Sequence, residues 1–231
     1  MPNNKKALIV VAKQPFPGKT KTRLSPPLKP EQASALYECF LLDTLEQMRR
    51  VKEVQRILAY LPFEGIDYFQ TIAQDFALIL QVGHDLGSRL DNTLNKYLSA
   101  GFESAVIMNS DSPTLPAEYL TQAFEALSGN ADVVLGPCDD GGYYLIGVKK
   151  PAPRLMREIK MSTPSVMEET IALAKEEDLE LYELPAWYDV DDRKSLLRLV
   201  EELDQNNKTN AVYTHRFLQQ ESIRLIIMNG G

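Results

Sequence analysis

Residues 7–24 read ALIVVAKQPFPGKTKTRL, and this stretch decides the fold. Ala7 to Ala12 form an apolar run with no polar break. A strand with one face in water would alternate polar and apolar residues. An unbroken run instead fits a strand buried on both faces, as in a parallel sheet covered by helices. The segment behind it, 13–29, is rich in Pro and Lys and predicts an irregular loop. In open α/β sheets, ligands bind beyond the carboxyl ends of the strands. The loop that starts at Lys13 is therefore the first place to look for chemistry.

The pattern repeats downstream. Pro30 suits the first position of a helix. Its stripe Ala33, Leu36, Tyr37, Phe40, Leu41, Leu45 and Met48 covers four turns of one face. Strands are predicted at Gln55–Tyr60, Phe76–Val82, Ala105–Met108, Asp132–Leu135, Tyr143–Val148 and Leu179–Leu184. Helices are predicted from Leu86 to Gly101, from Pro116, after an N-cap Thr163 with Pro164 at the first position, and over Ser195–Leu203. Strands alternating with helices predict a three-layer α/β/α sandwich with a mainly parallel, mixed sheet, in which 7–12 and 104–109 are neighbouring central strands. Residues 1–205 read as one domain. Residues 206–231 read as a polar linker and a tail, a short helix or strand that packs on a neighbour.

The composition narrows the function classes. The net charge of −7 argues against a nucleic-acid binder, which needs a basic footprint to displace counterions. It leaves room for a nucleotide, whose phosphates a local basic loop or a metal can hold. The two cysteines, Cys39 and Cys138, lack CxxC spacing and predict free thiols in a reducing compartment. The apolar run 7–12 is too short for a signal-peptide core, and no stretch approaches a membrane span. The chain reads as cytoplasmic. His84 and His215 have no evident partners, which disfavours a Ser-His-Asp hydrolase or a His-rich zinc site.

Four segments that follow strands carry candidate chemistry. The first holds Lys13, Lys19, Lys21 and Arg23 around Gly18, a loop able to cradle a di- or triphosphate. It is not a Walker A loop, because Lys13 stands where that motif needs its first Gly. A solvated basic loop would look the same. The second is Asn109–Thr114, where an apolar strand delivers Asp111 into a turn fixed by Pro113. Mg²⁺ takes one or two carboxylates plus substrate phosphates, so Asp111 suits a metal, or it caps the turn. The third, Gly136–Tyr144, places Gly141 and Gly142 between acids and aromatics, as in a ligand approach or a plain hairpin. The fourth, Trp187–Arg193, alternates Asp189 and Asp191, which face one side if the segment is extended. It supplies a second carboxylate or an acidic helix cap.

In this order the segments resemble the DUF2064 family of the nucleotide-diphospho-sugar transferase (GT-A-like) superfamily. The resemblance rests on Ala12–Leu24, Gln81–Arg89, Asn109–Pro113, Gly136–Gly147 and Asp189–Asp192, and covers about residues 5–203. Asn109, Met161 and Asp192 depart from the usual pattern, and none is a proposed ligand. The resemblance implies a metal-dependent transferase acting on a nucleotide-activated donor, with Mg²⁺ or Mn²⁺ as cofactor. Glycosyl transfer from a nucleotide-diphospho-sugar to a small acceptor is the first expectation. Nucleotidyl transfer from a nucleoside triphosphate to a phosphorylated acceptor is the alternative, and a non-catalytic nucleotide-binding protein is a third class. A homodimer is left open. By resemblance, Ala12, Lys13, Gly18, Lys21, Arg23, Gly83, Asp85 and Arg89 bind nucleotide, with Lys21, Arg23 and Asp111 catalytic. Asp111 and Asp191 hold the metal, with Asp189 as substitute for Asp191. Asp140, Gly141, Gly142 and Tyr143 lie by the transferred group or acceptor.

Overall fold

The computed structural model describes residues 5–205 and 209–229. The apolar run of the first strand, β1 (Lys6–Lys13), sits mid-sheet, with Leu8, Ile9 and Val10 fully buried. It pairs in parallel with β2 (Gln55–Leu61) on one side and β4 (Ser104–Met108) on the other, with Ile9 opposite Ile57 and Ile107. The expected adjacency of 7–12 and 104–109 is therefore present. β3 (Ala77–Leu80) extends the sheet beyond β2 in parallel. On the far side β6 (Tyr143–Val148) runs antiparallel to both β4 and β5 (Val133–Pro137), and β7 (Leu181–Glu183) closes the edge parallel to β5. The order is β3-β2-β1-β4-β6-β5-β7, and β6 alone makes the sheet mixed.

The helices are α1 (Pro30–Arg50), α2 (Ile66–Ile72), α3 (Leu86–Ser99), α4 (Ala117–Ser128), α5 (Arg154–Arg157), α6 (Val166–Glu176), α7 (Arg193–Gln205), α8 (Val212–Leu218) and α9 (Glu221–Asn229). Successive strand residues point to opposite faces, so β1 feeds two cores. Leu8 and Val10 pack with Leu45 of α1, Phe69 of α2 and Phe124 of α4. Ala7 and Ile9 pack with Leu94 of α3, Leu155 of α5 and Ala174 of α6. Each fully buried Leu, Ile or Phe contributes about 1.5–3 kcal/mol, which explains why the strand needs no polar face. A third core joins Phe40 of α1, Leu199 of α7, Leu218 of α8 and Ile227 of α9. The Asp43 carboxylate accepts the N–H groups of Tyr213 and Thr214. The tail thus packs on α1 and α7 of its own chain. Residues 206–208 of the expected linker and 230–231 lie outside the described residues. Among the described residues no helix is long and apolar enough to cross a membrane.

Two local expectations change. Strand β3 is shorter than Phe76–Val82, because Val82 leaves the sheet and is exposed. Helix α6 starts at Val166 with Ser165 as its N-cap residue, not with Thr163 and Pro164. Those two residues are used in a turn, where the Thr163 hydroxyl donates to the Lys160 carbonyl.

Candidate functional site

After β1 the chain moves to β2 and β3 on one side, whereas β4 lies on the other. The β1–β4 boundary is thus a topological switch point, where loops leaving two neighbouring parallel strands part and open a crevice. A cleft of about 860 Å³ lies there. That volume falls within the roughly 300–1,000 Å³ usual for small-molecule sites. Its walls come from the basic loop, the Asn109–Asp111 turn, the Asp140–Tyr144 hairpin, the Met161–Val166 segment and Asp189–Asp191.

Lys21 stands at the centre. Its ammonium lies 2.6 Å from Asp111 Oδ1 and 2.6 Å from Asp191 Oδ1, so these oxygens are no further apart than twice that distance. The Lys21 side chain is only 6% exposed, whereas Asp111 and Asp191 keep 32% and 46%. Burial alone would lower the lysine pKa, but the two carboxylates outweigh it and hold it above its ordinary value. The Lys21 backbone is left-handed, at φ 49° and ψ 42°. That conformation costs a non-glycine residue about 1–2 kcal/mol, and persists where surroundings over-determine it. Here the two ion pairs and the rings of Tyr37 and Phe40, 5.9 and 5.7 Å from the ammonium, fix the side chain. The two acidic segments are also tied through backbone, since the Val190 N–H donates to the Asp111 carbonyl at 3.0 Å.

Asp189 lies deeper. Its Oδ1 accepts from Asn109 Nδ2 at 2.7 Å, Ser112 Oγ at 2.7 Å and the Cys138 thiol at 3.3 Å. Burial, and then the charge of Asp111, push its carboxyl up to about 6; the bonds from Ser112 and Asn109 act the other way. Burial thus favours the neutral form of Asp189. In the unfolded chain an Asp titrates near 3.9. A folded pKa above that value means the fold is most favoured at low pH and loses stability as pH rises from about 4 to about 6, by about 2–3 kcal/mol. Asp189→Asn keeps the acceptor and removes the charge. In EDTA it is expected to raise the unfolding free energy by about 2 kcal/mol at pH 8 and leave it unchanged at pH 4. Urea denaturation at both pH values checks this, and equal stability at pH 8 rejects it.

A hydroxyl network braces the floor. The Lys13 N–H donates to the Tyr37 hydroxyl at 3.2 Å, Tyr37 and Ser110 share a 2.9 Å bond, and Ser110 Oγ donates to the Val11 carbonyl. Burial and the charge of Asp111 push the Tyr37 phenol up to about 12. Sequence reading counted Tyr37 only in a helical stripe and passed over Ser110 and Ser112. The available signal was a phenol within a buried stripe, which must find a hydrogen-bond partner.

The structure brings Ala12, Lys13, Arg23, Arg89, Asp140, Gly142 and Tyr143 to the same cleft as Lys21 and the three acids. Arg23 and Lys13 are exposed. Arg89 buries its Nε without a hydrogen-bond partner among the described residues. Trp187 Nε1 and Arg193 Nε are buried in the same way. Gly18, Gly83, Asp85 and Gly141 lie off the cleft wall. Gly18, at φ +73°, turns the loop in open space. The Asp85 carboxylate caps α3, accepting from the Ser88 N–H at 2.7 Å. Gly141, at φ +88°, packs against the Pro164 carbonyl. Asp192, not Asp191, caps α7 through the Ser195 N–H.

The donor chemistry at Asp111, Asp189 and Asp191 is hard oxygen, which suits Mg²⁺ or Mn²⁺. Among the described residues no group of three or more such side chains is placed to hold an ion by itself. Substrate phosphate oxygens would have to complete the coordination, as they do in typical Mg²⁺ sites. The residues fit a metal on that condition.

The family model described as "Uncharacterized protein conserved in bacteria (DUF2064)" matches residues 44–163, just over half of the chain. That match omits the basic loop and Asp189–Asp191. No curated protein matches the chain. Among solved structures, the chain is similar to a "putative nucleotide-diphospho-sugar transferase" from Desulfovibrio desulfuricans G20. The two are 28% identical, with 99% of this chain and 98% of that one covered and a TM-score of 0.89. It also shares its fold with CMP:2-keto-3-deoxy-manno-octonic acid synthetase complexed with CTP, at 11% identity, 87% and 99% coverage and TM-score 0.58. A cytidylyltransferase from Leptospira borgpetersenii serovar Hardjo-bovis gives 14% identity, 97% coverage of both chains and TM-score 0.56. With its middle matched by the family model and its whole length by the D. desulfuricans structure, the chain belongs to the DUF2064 family and is a transferase of the nucleotide-diphospho-sugar transferase fold.

Proposed function

We propose that the chain is a cytoplasmic enzyme that transfers a glycosyl group from a nucleotide-diphospho-sugar, bound in the β1–β4 cleft, to a small acceptor. The observation that carries this reading is the meeting of the basic loop with Asp111 and Asp191 around Lys21. The name of the D. desulfuricans relative supports it. Glycosyl transfer leaves a nucleoside diphosphate, so negative charge gathers on the departing phosphates. Lys21, Arg23 and Lys13 are the groups that offset it, and electrostatic stabilisation of this kind is usually the largest catalytic contribution. Asp111 and Asp191 would hold Mg²⁺ or Mn²⁺ against those phosphates, with Asp189 in reserve. The metal, when bound, supplies Lewis-acid neutralisation of the leaving group. Ala12 and Arg89 border the nucleobase end in this reading, and Asp85 acts behind them by capping α3. Asp140, Gly142 and Tyr143 border the transferred group, Gly18 and Gly141 act by turning their loops, and residues 1–205 carry the whole site.

A second reading rests on the same cations. Four basic side chains within one loop also suit a triphosphate, so nucleotidyl transfer with departure of pyrophosphate uses the same geometry. The released product separates the two. A screen of nucleotides and nucleotide sugars with Mg²⁺ or Mn²⁺, read by thermal shift, should find a ligand that raises the melting temperature by mass action. Turnover of that ligand with candidate acceptors should release nucleoside diphosphate; release of pyrophosphate selects the second reading, and no shift with any nucleotide rejects both.

Arg23 is the clean probe of the loop, being exposed and free of ion pairs among the described residues. Arg23→Ala is expected to weaken nucleotide binding by roughly 10–100-fold in calorimetric titration, the loss of one charge-assisted hydrogen bond, with its melting temperature unchanged. Unchanged affinity removes Arg23 from the site. Lys21→Ala is a less specific probe. Its ammonium is buried between two acids, so its removal destabilises the fold as well as phosphate binding.

A further inference from the structure

We propose that the Lys21 ammonium holds the place of a divalent cation between Asp111 and Asp191 in the nucleotide-free protein, so that metal enters only when a polyphosphate draws the lysine away. This rests on the reading above, in which phosphates and metal share the cleft, and adds an order of binding to it.

The argument begins with space. The ammonium touches one oxygen of each acid at 2.6 Å. A Mg²⁺ or Mn²⁺ bridging the same two oxygens needs them at roughly 2.0–2.2 Å. The ion and the nitrogen would claim one position, so occupancy is exclusive. Charge gives the same result. One ammonium against two carboxylates leaves the trio with one net negative charge, and its buried lysine has no other anion beside it among the described ion pairs. Metal arriving alone would have to part the lysine from both its anions and offer it none in return, and a buried charge stripped of its partners is strongly unfavourable. A polyphosphate changes this balance. It offers Lys21 replacement anionic oxygens and offers the ion additional ligands. The open side of the trio favours such an exchange, because both carboxylates are partly exposed to the cleft while the lysine stem is not. The exposed cations Lys13, Lys19 and Arg23 lie at the same cleft to bring phosphates in.

The left-handed backbone and the flanking rings of Tyr37 and Phe40 argue that the position of Lys21 is built, since an incidental surface pair would carry neither. Lys21 thereby keeps Asp111 and Asp191 together in the absence of metal, where bare carboxylates at this spacing would repel.

The test is a titration of nucleotide-free protein with Mn²⁺ alone, followed by the electron paramagnetic resonance of the free ion. Lys21→Met removes the charge and keeps the stem. It is expected to bind one Mn²⁺ at least about tenfold more tightly than wild type, within the roughly 5–150-fold usual for coupled sites. The double variant Lys21→Met/Asp111→Asn is expected to lose that gain. Equal Mn²⁺ affinity in wild type and Lys21→Met overturns the proposal, as does a gain that survives Asp111→Asn. Near-UV circular dichroism reports folding, and Lys21→Gln takes the place of Lys21→Met if the latter does not fold. Independently of any variant, tight Mn²⁺ binding by nucleotide-free wild type, with Kd below about 0.1 mM, overturns it. Nucleotide binding to wild type with Mn²⁺ present is measured separately. Its failure sinks the transferase reading while leaving exclusive occupancy intact, whereas nucleotide binding together with equal Mn²⁺ affinity in wild type and Lys21→Met sinks only the exclusive occupancy.

Discussion

Asp111→Asn is expected to lower turnover by about 10³-fold while the protein still folds, the scale seen when one preorganised charge-stabilising group is removed from an active site. The reason lies in how the turn is built. The Asp111 N–H donates to the Asn109 side chain and the Asp111 carbonyl accepts the Val190 N–H, so the backbone of the turn does not depend on the carboxylate. The carboxylate reaches instead to Lys21. An amide of the same size keeps the shape and removes the charge that holds both the lysine and, in the proposed reaction, the metal. Lys21 retains Asp191, so the variant keeps one ion pair. A nucleotide that stabilises wild type more strongly with Mn²⁺ than without it should show no such difference in Asp111→Asn. Steady-state kinetics and metal-dependent thermal shifts measure the two effects. An unfolded variant would return Asp111 to the turn-capping role that its sequence context also allowed.

Gly141→Ala is expected to cost about 2–4 kcal/mol of stability, the largest structural effect among the site glycines. A Cβ at this position would lie 2.0 Å from the Pro164 carbonyl oxygen, and φ is +88°, where an L side chain is strained. Both partners are backbone, so no side-chain rotation relieves the contact. The Gly141 carbonyl also accepts the Met167 N–H at 2.9 Å, tying the hairpin to the start of α6. The expected result is a lower urea midpoint together with weaker binding of the donor, because the hairpin and the 161–166 segment form one wall of the cleft. A variant as stable as wild type would mean that this contact yields freely. Gly142 offers the contrast, since its Cβ would meet only the Asp140 carboxylate at 3.2 Å, a side chain that can move.

How much was legible in advance depended on how local each cause is. The strand 7–12 was readable because continuous apolar character has one inexpensive destination, the centre of a covered sheet. The loop after it was readable as a site because chain direction alone puts it at the carboxyl edge. The convergence of Asp111 with the Asp189–Asp191 segment was expected from the family resemblance, which gives both to one metal. By contrast, the cap formed by Asp85, the packing of Gly141 on Pro164 and the bond from Tyr37 to Ser110 each depend on which loops meet, and spacing along the chain does not encode that. The tail shows the same limit: its apolar residues promise burial somewhere, and the surface they cover is offered by α1 and α7, far away in sequence.

The sequence by itself determined the α/β architecture, the edge of the sheet where chemistry collects, and the residue types gathered there, because periodicity, strand direction and turn residues act over a few residues at a time. Only the tertiary structure decided the pairing. It set Lys21 between Asp111 and Asp191 and kept Asp189 behind them under Asn109, Ser112 and Cys138. Charges that look alike in a sequence acquire different roles once burial and neighbours are fixed. Coulomb and desolvation energies depend on distances in space, which chain position does not supply.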